Sequence, residues 1–213
     1  MGDARWWKDF DAVIAAALPA GSRVLDAGCG DGSLVNRRGE LGFDALGVDP
    51  AAPIHPRLIQ EPVEQVQRLG AFDAVIAIMA LHHAELDAMT SALTRLLCPH
   101  GRLFVYDFDW DGYDDRAVGW LAQHDPSDTD NSVTGWRREH SGLHTGATIK
   151  EALDARFEFL LEVRRPYLAR MLARHDLETT EHALIDARML PALGFWMIAA
   201  RRDPNTQSSA PQE

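Results

Sequence analysis

The sequence predicts an α/β domain, a parallel sheet covered by helices on both faces. Three observations predict it. Short apolar strands alternate with stretches of helical spacing, a glycine-dense turn follows the first strand at once, and Phe72 to Ile78 is an apolar run of the kind a doubly buried strand needs.

The 213 residues suit one such domain with appendages, and they suffice for a core without disulfide staples. The chain carries 32 acidic against 21 basic side chains, a formal charge of −11. That surface repels phosphate backbones and anionic lipid, so neither nucleic acid nor a membrane is an expected partner. The longest apolar run, Ala74 to Leu81, is far short of a membrane span. The N-terminus places acids ahead of any apolar stretch and does not read as a signal peptide. Cys29 and Cys98 are the only cysteines, which fits a reducing compartment, and a cytoplasmic location is expected.

Each element follows from local chemistry. Asp9 to Leu18 spaces Phe10, Val13, Ile14 and Leu18 on one side of a helix, and Pro19 with Gly21 ends it. Arg23 to Leu25 is a short strand, Asp26 to Gly32 the glycine turn, Ser33 to Glu40 a helix, and Phe43 to Val48 a strand ending at Asp49. Pro50, Pro53 and Pro56 fix φ and remove donors, so only a loop or a single turn is expected there. The strand Phe72 to Ile78 leads to a helix over Leu86 to Leu97, closed by Cys98-Pro99-His100-Gly101, and Arg102 to Phe108 is the next strand. The eight acids between Asp107 and Asp130, interleaved with aromatic residues, suggest a cap or loop. Ile149 to Ala155 reads as a helix, Phe157 to Val163 as a strand or a continuation of that helix, Glu181 to Leu190 as a helix, and Phe195 to Ala200 as the last strand. The expected parts are an N-terminal helix or lid (1–22), a ligand-binding core (23–108), an acceptor cap (109–147), C-terminal helices and strands completing the sheet (148–202) and a disordered tail (203–213).

A strand, a glycine turn, a helix and an acid at the end of the next strand make a nucleotide site. Gly28 and Gly30 admit a ligand close to the main chain, and Asp49 stands where an acid accepts ribose hydroxyls. Dinucleotides and S-adenosylmethionine both use this geometry. Asp26 and Asp31 would repel a pyrophosphate but attract a sulfonium and an ammonium, which favours the methyl donor over NAD.

Val24-Leu-Asp-Ala-Gly-Cys-Gly-Asp-Gly32 resembles the first motif of class I S-adenosylmethionine-dependent methyltransferases. Gly47-Val-Asp-Pro50 resembles their second strand, Phe72-Asp-Ala-Val75 through Leu81-His-His83 their fourth strand and its exit, and Leu96-Leu-Cys-Pro-His-Gly-Arg-Leu103 the approach to the fifth. The likeness runs in order over residues 23 to 108. It implies a Rossmann-like, doubly wound seven-stranded sheet, mostly parallel with an antiparallel last strand, in a short small-molecule type lacking the second helix. It also implies S-adenosylmethionine as cofactor, with Asp26 near the methionine ammonium and Gly28, Cys29 and Gly30 against the ligand. Asp49 and Pro50 would meet the ribose, Glu61 or Gln60 the adenine amino group, and Ala77, Ile78 and Met79 would line the remaining sides.

Methyl transfer is an in-line displacement, so the protein must align its reactants, exclude water and, for an oxygen or nitrogen acceptor of high pKa, supply a base. His82, leaving the fourth strand at the ligand-binding edge, is one candidate, and His140 and His144 are others; structural roles compete in each case. Trp7, Asp107, Asp109, Trp110 and Tyr167 are the residues expected to meet a small-molecule acceptor. Two rival readings are an NAD-dependent oxidoreductase and a non-catalytic binder of the cofactor.

Overall fold

The computed structural model describes residues 5–67, 69–125, 127 and 131–202, without the side chains of residues 5–7. The tail read as disordered and the Trp7 side chain read as part of a lid lie outside the described residues. Seven strands form one sheet: β1 (Arg23–Ala27), β2 (Asp44–Val48), β3 (Leu58–Ile59), β4 (Phe72–Ile78), β5 (Leu97–Phe108), β6 (Phe157–Arg165) and β7 (Gly194–Arg201). Their order is β3-β2-β1-β4-β5-β7-β6. The pairs from β3 to β5 are parallel, and β7 runs antiparallel to both neighbours. The strand order reverses between β1 and β4, so a crevice opens where their C-terminal ends diverge.

The period-two alternation sorts side chains to two cores. Val24, Ala74, Ile76, Phe104, Tyr106 and Trp196 face helix α1 (Arg5–Ala17), which buries Phe10 and Ile14 against them. Leu25, Val75, Leu103 and Met197 face the other side, where α3 (Leu86–Leu96) contributes Met89, Leu93 and Leu96, and α6 (Gly146–Asp154) contributes Ile149 and Leu153. Both faces are covered, as apolar strands of this kind require.

Several elements begin or end elsewhere than the sequence suggests. Helix α1 starts at Arg5, four residues before the expected Asp9. Strand β5 starts at Leu97 and not at Arg102, since Cys98 to Gly101 stop the helix yet stay beside β4 through an irregular register. Phe157–Arg165 is an edge strand, not a helix. After α2 (Ser33–Glu40) and β2, the described residues before β4 form no α-helix, only the two-residue β3 and a 3₁₀ turn, Val63–Gln65.

The acidic stretch after β5 is more ordered than a loop. Asp114 accepts the N–H groups of Arg116 and Ala117 to start α4 (Asp115–His124), and Ser132 accepts that of Gly135 to start α5 (Val133–His140). These helices bury Tyr113, Trp120, Leu121 and Trp136 with Phe108, Tyr167 and Leu193 in a separate core. The short α7 (Leu168–Met171) is held from α8 (Glu178–Asp186), where the expected helix over Glu181 to Leu190 begins and ends earlier. Glu181 is fully buried and accepts the N–H groups of Tyr167, Leu168 and Ala169 at 2.8, 2.9 and 2.8 Å. Replacing Glu181 with Ala strands three buried donors at a cost of about 1–3 kcal/mol each when unpaired, less whatever water recovers. Urea unfolding of E181A should therefore show a loss of at least about 2 kcal/mol, and wild-type stability would mean the three bonds contribute nothing.

Candidate active site

The crevice is built around the exit of β1. Gly28 donates its N–H to the Val48 carbonyl at 2.8 Å and adopts φ 82°, and a Cβ added there would sit 2.7 Å from the Ala80 Cβ. A side chain at Gly28 would thus push the exits of β1 and β4 apart. Around a Cβ added to Gly30 there is open space, so the main chain there is accessible to a ligand.

Asp49 braces this turn. Its Oδ2 accepts the Gly30 N–H at 3.1 Å and its Oδ1 the Ala51 N–H at 2.7 Å, which leaves lone pairs on a half-buried carboxylate for hydroxyl donors. Asp31 is bound to the Ser33 N–H at 2.9 Å, where it serves the start of α2. Cys29 is a core side chain: its Sγ lies against Gly47, and burial pushes its thiol up to about 12. Pro50 and Glu61 are exposed. Gln60 donates its side-chain N–H to the Ala52 carbonyl, which leaves Glu61 the freer partner for an adenine amino group.

Asp26 differs from every other acid of the site. It is 3% exposed, and neither carboxylate oxygen has a hydrogen-bond partner among the described residues. Burial lifts its pKa to about 7; Arg38 pulls it down, while Asp49 and Asp31 push it further up. A buried, unsatisfied acid beside an open glycine turn fits a ligand's ammonium and opposes a diphosphate. The residues present therefore fit S-adenosylmethionine.

On the β4 side, the side chains of Ala77 and Ile78 are buried within the two cores, which leaves their main chain for the lining expected of them. Met79 reaches the edge. It is a non-glycine residue at φ 55°, a left-handed conformation held while its N–H donates to the Tyr106 carbonyl at 2.8 Å.

The next turn, Leu81–His83, carries the second half of the site. Asp107, expected to face an acceptor, is fully buried at the end of β5. Its Oδ2 accepts the N–H groups of Leu81 and His82 at 3.0 and 3.3 Å, and its Oδ1 accepts that of Phe108 at 2.9 Å and the His82 Nδ1–H at 2.7 Å. A carboxylate only accepts, so the proton sits on Nδ1 and the lone pair of His82 is on Nε2. That nitrogen makes no hydrogen bond among the described residues.

The other two histidines are placed differently. His144 donates Nε2–H to the Ala84 carbonyl at 2.9 Å and its backbone N–H to the His82 carbonyl at 2.9 Å, so it anchors the turn and its remaining ring lone pair is on Nδ1. His140 donates Nδ1–H to the Trp136 carbonyl at 2.8 Å and stacks on the Trp136 ring at 3.9 Å. It keeps a basic Nε2, but a neutral carbonyl stands behind it instead of a carboxylate. Phe108 lies between the two, 4.9 Å from the His82 ring and 5.7 Å from His140, and it stacks on Tyr167 at 4.6 Å. Phe108 is a site residue that sequence reading missed, since an aromatic at a strand end carries no signal beyond core.

Asp109 and Trp110 also depart from expectation. Asp109 is tied to the Gly146 N–H and the Arg164 guanidinium, each at 2.9 Å, and so joins β5 to α6 and β6. Trp110 donates its Nε1–H to the Leu143 carbonyl at 3.1 Å and accepts that of Trp136 at its own carbonyl, which makes it an internal brace of the cap.

Comparison with known proteins agrees with this geometry. The family model described as a methyltransferase domain matches residues 4–160. An uncharacterized methyltransferase of Mycobacterium tuberculosis is 35% identical over 114 residues, covering 46% of this chain and 57% of its own length. The ubiquinone biosynthesis O-methyltransferase of Xanthomonas axonopodis is 35% identical over 112 residues, covering 45% and 47%. The chain thus spans about half the length of these curated relatives. Among solved structures, an S-adenosylmethionine dependent methyltransferase from Mesorhizobium loti aligns with TM-score 0.59 at 19% identity, over 94% of this chain and 99% of its own. The 1,6-didemethyltoxoflavin-N1-methyltransferase of Burkholderia thailandensis aligns with TM-score 0.59 at 20% identity, over 94% and 80%. The dinucleotide alternative falls with the family match. The chain belongs to the methyltransferase-domain family and is a class I S-adenosylmethionine-dependent methyltransferase by fold, with S-adenosylmethionine as its cofactor.

Proposed function

We propose that this protein transfers the methyl group of S-adenosylmethionine to a hydroxyl or N–H group of a small-molecule acceptor, with His82 taking the acceptor's proton. The carrying observation is the His82–Asp107 pair at the exits of two adjacent strands, within the edge that holds the glycine turn. The relatives named for O- and N1-methyl transfer support a small-molecule oxygen or nitrogen acceptor. The net charge of −11 disfavours a nucleic acid, and among the described residues no helix is long and apolar enough to cross a membrane.

The cofactor supplies an electrophilic methyl carbon on a sulfonium, whose bonding electrons stay with sulfur as the acceptor lone pair attacks in line. The protein's share is alignment and proton removal. Asp26 would fix the ammonium, Asp49 the ribose hydroxyls, and the main chain from Gly28 to Gly30 the body of the ligand. His82 Nε2 would accept the acceptor proton, and Asp107, already holding Nδ1–H, would stabilise the imidazolium that forms. Phe108 and Tyr167, stacked beside His82, would wall the acceptor and limit water.

A general base is worth about 10²–10⁴ in rate. With a panel of phenols, catechols and N-heteroaromatics and labelled methyl donor, H82Q and D107N should lose turnover in that range while their affinity for S-adenosylhomocysteine is unchanged. Wild-type turnover in H82Q would remove His82 from the chemistry. A protein that binds S-adenosylhomocysteine but methylates nothing across the panel would favour the non-catalytic reading.

Asp49→Ala should weaken S-adenosylhomocysteine binding by about 1.5–3 kcal/mol by calorimetry, the usual worth of hydrogen bonds to a charged group. Unchanged affinity in the folded variant would place the ribose elsewhere.

Asp26 also makes stability depend on pH. Its folded pKa is raised, so in the cofactor-free protein its contribution is full below 3.8 and is lost as pH rises to about 7. An ammonium offsets that loss, so affinity for S-adenosylhomocysteine should strengthen over the same window. Melting scans with and without the ligand should show both trends, and D26N should flatten them. Parallel curves for wild type and D26N would contradict this role.

A further inference from the structure

Two imidazoles with a lone pair on Nε2 stand against the same ring, that of Phe108. His82 meets it at 4.9 Å and 81°, and His140, the last residue of α5, meets it at 5.7 Å and 75°. His140 is pinned from two sides. Its Nδ1–H donates to the Trp136 carbonyl one turn back, and its ring stacks on the Trp136 indole. Trp136 is itself fixed, with its Nε1–H on the Trp110 carbonyl at 2.9 Å and its ring stacked on Tyr113 at 4.3 Å. The Nδ1 of His140, beside the ring's attachment, is thus spent on the helix, and Nε2 lies at the ring's distal end. Among the described residues that Nε2 makes no hydrogen bond, and the side chain is half-buried.

The two rings differ in what stands behind them. A carboxylate backs His82, so an imidazolium formed there is stabilised, whereas only a neutral carbonyl backs His140. His140 therefore suits the acceptance of a hydrogen bond and not the removal of a proton. With both Nδ1 protons committed, the neutral pair offers two acceptors and no donor. A molecule with one O–H or N–H group satisfies one of them and leaves the other unpaired. A molecule with two such groups satisfies both.

We infer that the acceptor carries two O–H or N–H groups, one methylated at His82 and the other held intact by His140, which is thereby a specificity-determining contact. The inference rests on the methyl transfer proposed above and narrows its substrate class. It also bears on how many methyl groups are transferred. Turned round to offer its remaining O–H to His82, an O-methylated product presents His140 with an ether, which cannot donate. A second methylation is thereby disfavoured.

The test uses the full chain, labelled S-adenosylmethionine, and matched acceptors: the benzenediols, their monomethyl ethers, and phenol. The wild type should prefer its best benzenediol over the ether and phenol by about five- to 100-fold in kcat/KM, the loss expected where a buried acceptor goes unpaired. The difference should lie in KM. H140F should erase the preference by raising KM for the diol alone, with kcat little changed, and should release dimethylated product. H140Q, whose amide oxygen still accepts, should restore part of it. H82Q should give the opposite split, a fall in kcat while the diol keeps its affinity for the S-adenosylhomocysteine complex. Equal kcat/KM for diol, ether and phenol in the wild type overturns the inference. So does an H140F that keeps the preference, or one that lowers kcat for every acceptor alike, as a purely structural or a proton-removing His140 would. Should H140F fail to fold, H140A carries the same expectations. A wild type that methylates none of these compounds would instead overturn the methyl transfer proposed above, a separate outcome.

Discussion

One buried carboxylate organises the reactive edge of this domain. Asp107 accepts three backbone N–H groups and one imidazole N–H, all from residues at the exits of β4 and β5. Four donors hold the negative charge in place inside the protein. The same bonds set the Leu81–His83 turn, choose the tautomer of His82 and fix Phe108. Through the His82 carbonyl, which accepts the His144 N–H, the arrangement extends to the start of α6. Remove this carboxylate and the turn, the base and the aromatic wall lose their common support.

Asp26 is the opposite case on the same edge. It is as deeply placed, yet it has no donors of its own. A buried carboxylate with four donors behaves as structure; one with none carries an unmet demand for a donor, which suits the ammonium proposed for it. The difference lies in how the backbone turns beyond each strand. At the end of β5 the N–H groups of Phe108 and of the turn after β4 point at Asp107, whereas after β1 the glycine turn sends its N–H groups toward β2 and Asp49. Two aspartates at the ends of two parallel strands thus acquire opposite tasks from backbone direction alone.

That distinction explains what the sequence shows and what it hides. Periodicity, glycines and prolines made the sheet, its covering helices and the missing second helix legible, because these features act within a few residues. The glycine turn and its acid were legible for the same reason: Gly28, Gly30 and Asp49 lie along one β-turn-α-β stretch. The acceptor side depends on pairs far apart in the chain, such as Asp107 with His82, Glu181 with Tyr167 and Asp109 with Gly146. Spacing says nothing about such pairs, so Asp107 and Asp109 looked like substrate contacts.

The division between the two halves also follows the sheet. The parallel strands β3 to β5 present their C-terminal ends together, which concentrates turns and N–H groups where a nucleoside binds. The antiparallel strand β7 breaks that pattern, because its N-terminal end lies beside the exit of β5, with Gly194 opposite Phe108. No helix start is available there, so the edge is closed by the cap core and by α7, held in place from α8 through Glu181. The methyltransferase-domain match ends at residue 160, inside β6. Asp26, Asp49, His82 and Asp107 fall within it, whereas Tyr167 and Glu181 fall beyond it. The match therefore covers the parallel strands and helices α4 to α6, whereas α7, α8 and β7, which complete the wall proposed for an acceptor, lie beyond it. Changes in α7 and α8 can reshape that wall without disturbing either buried aspartate.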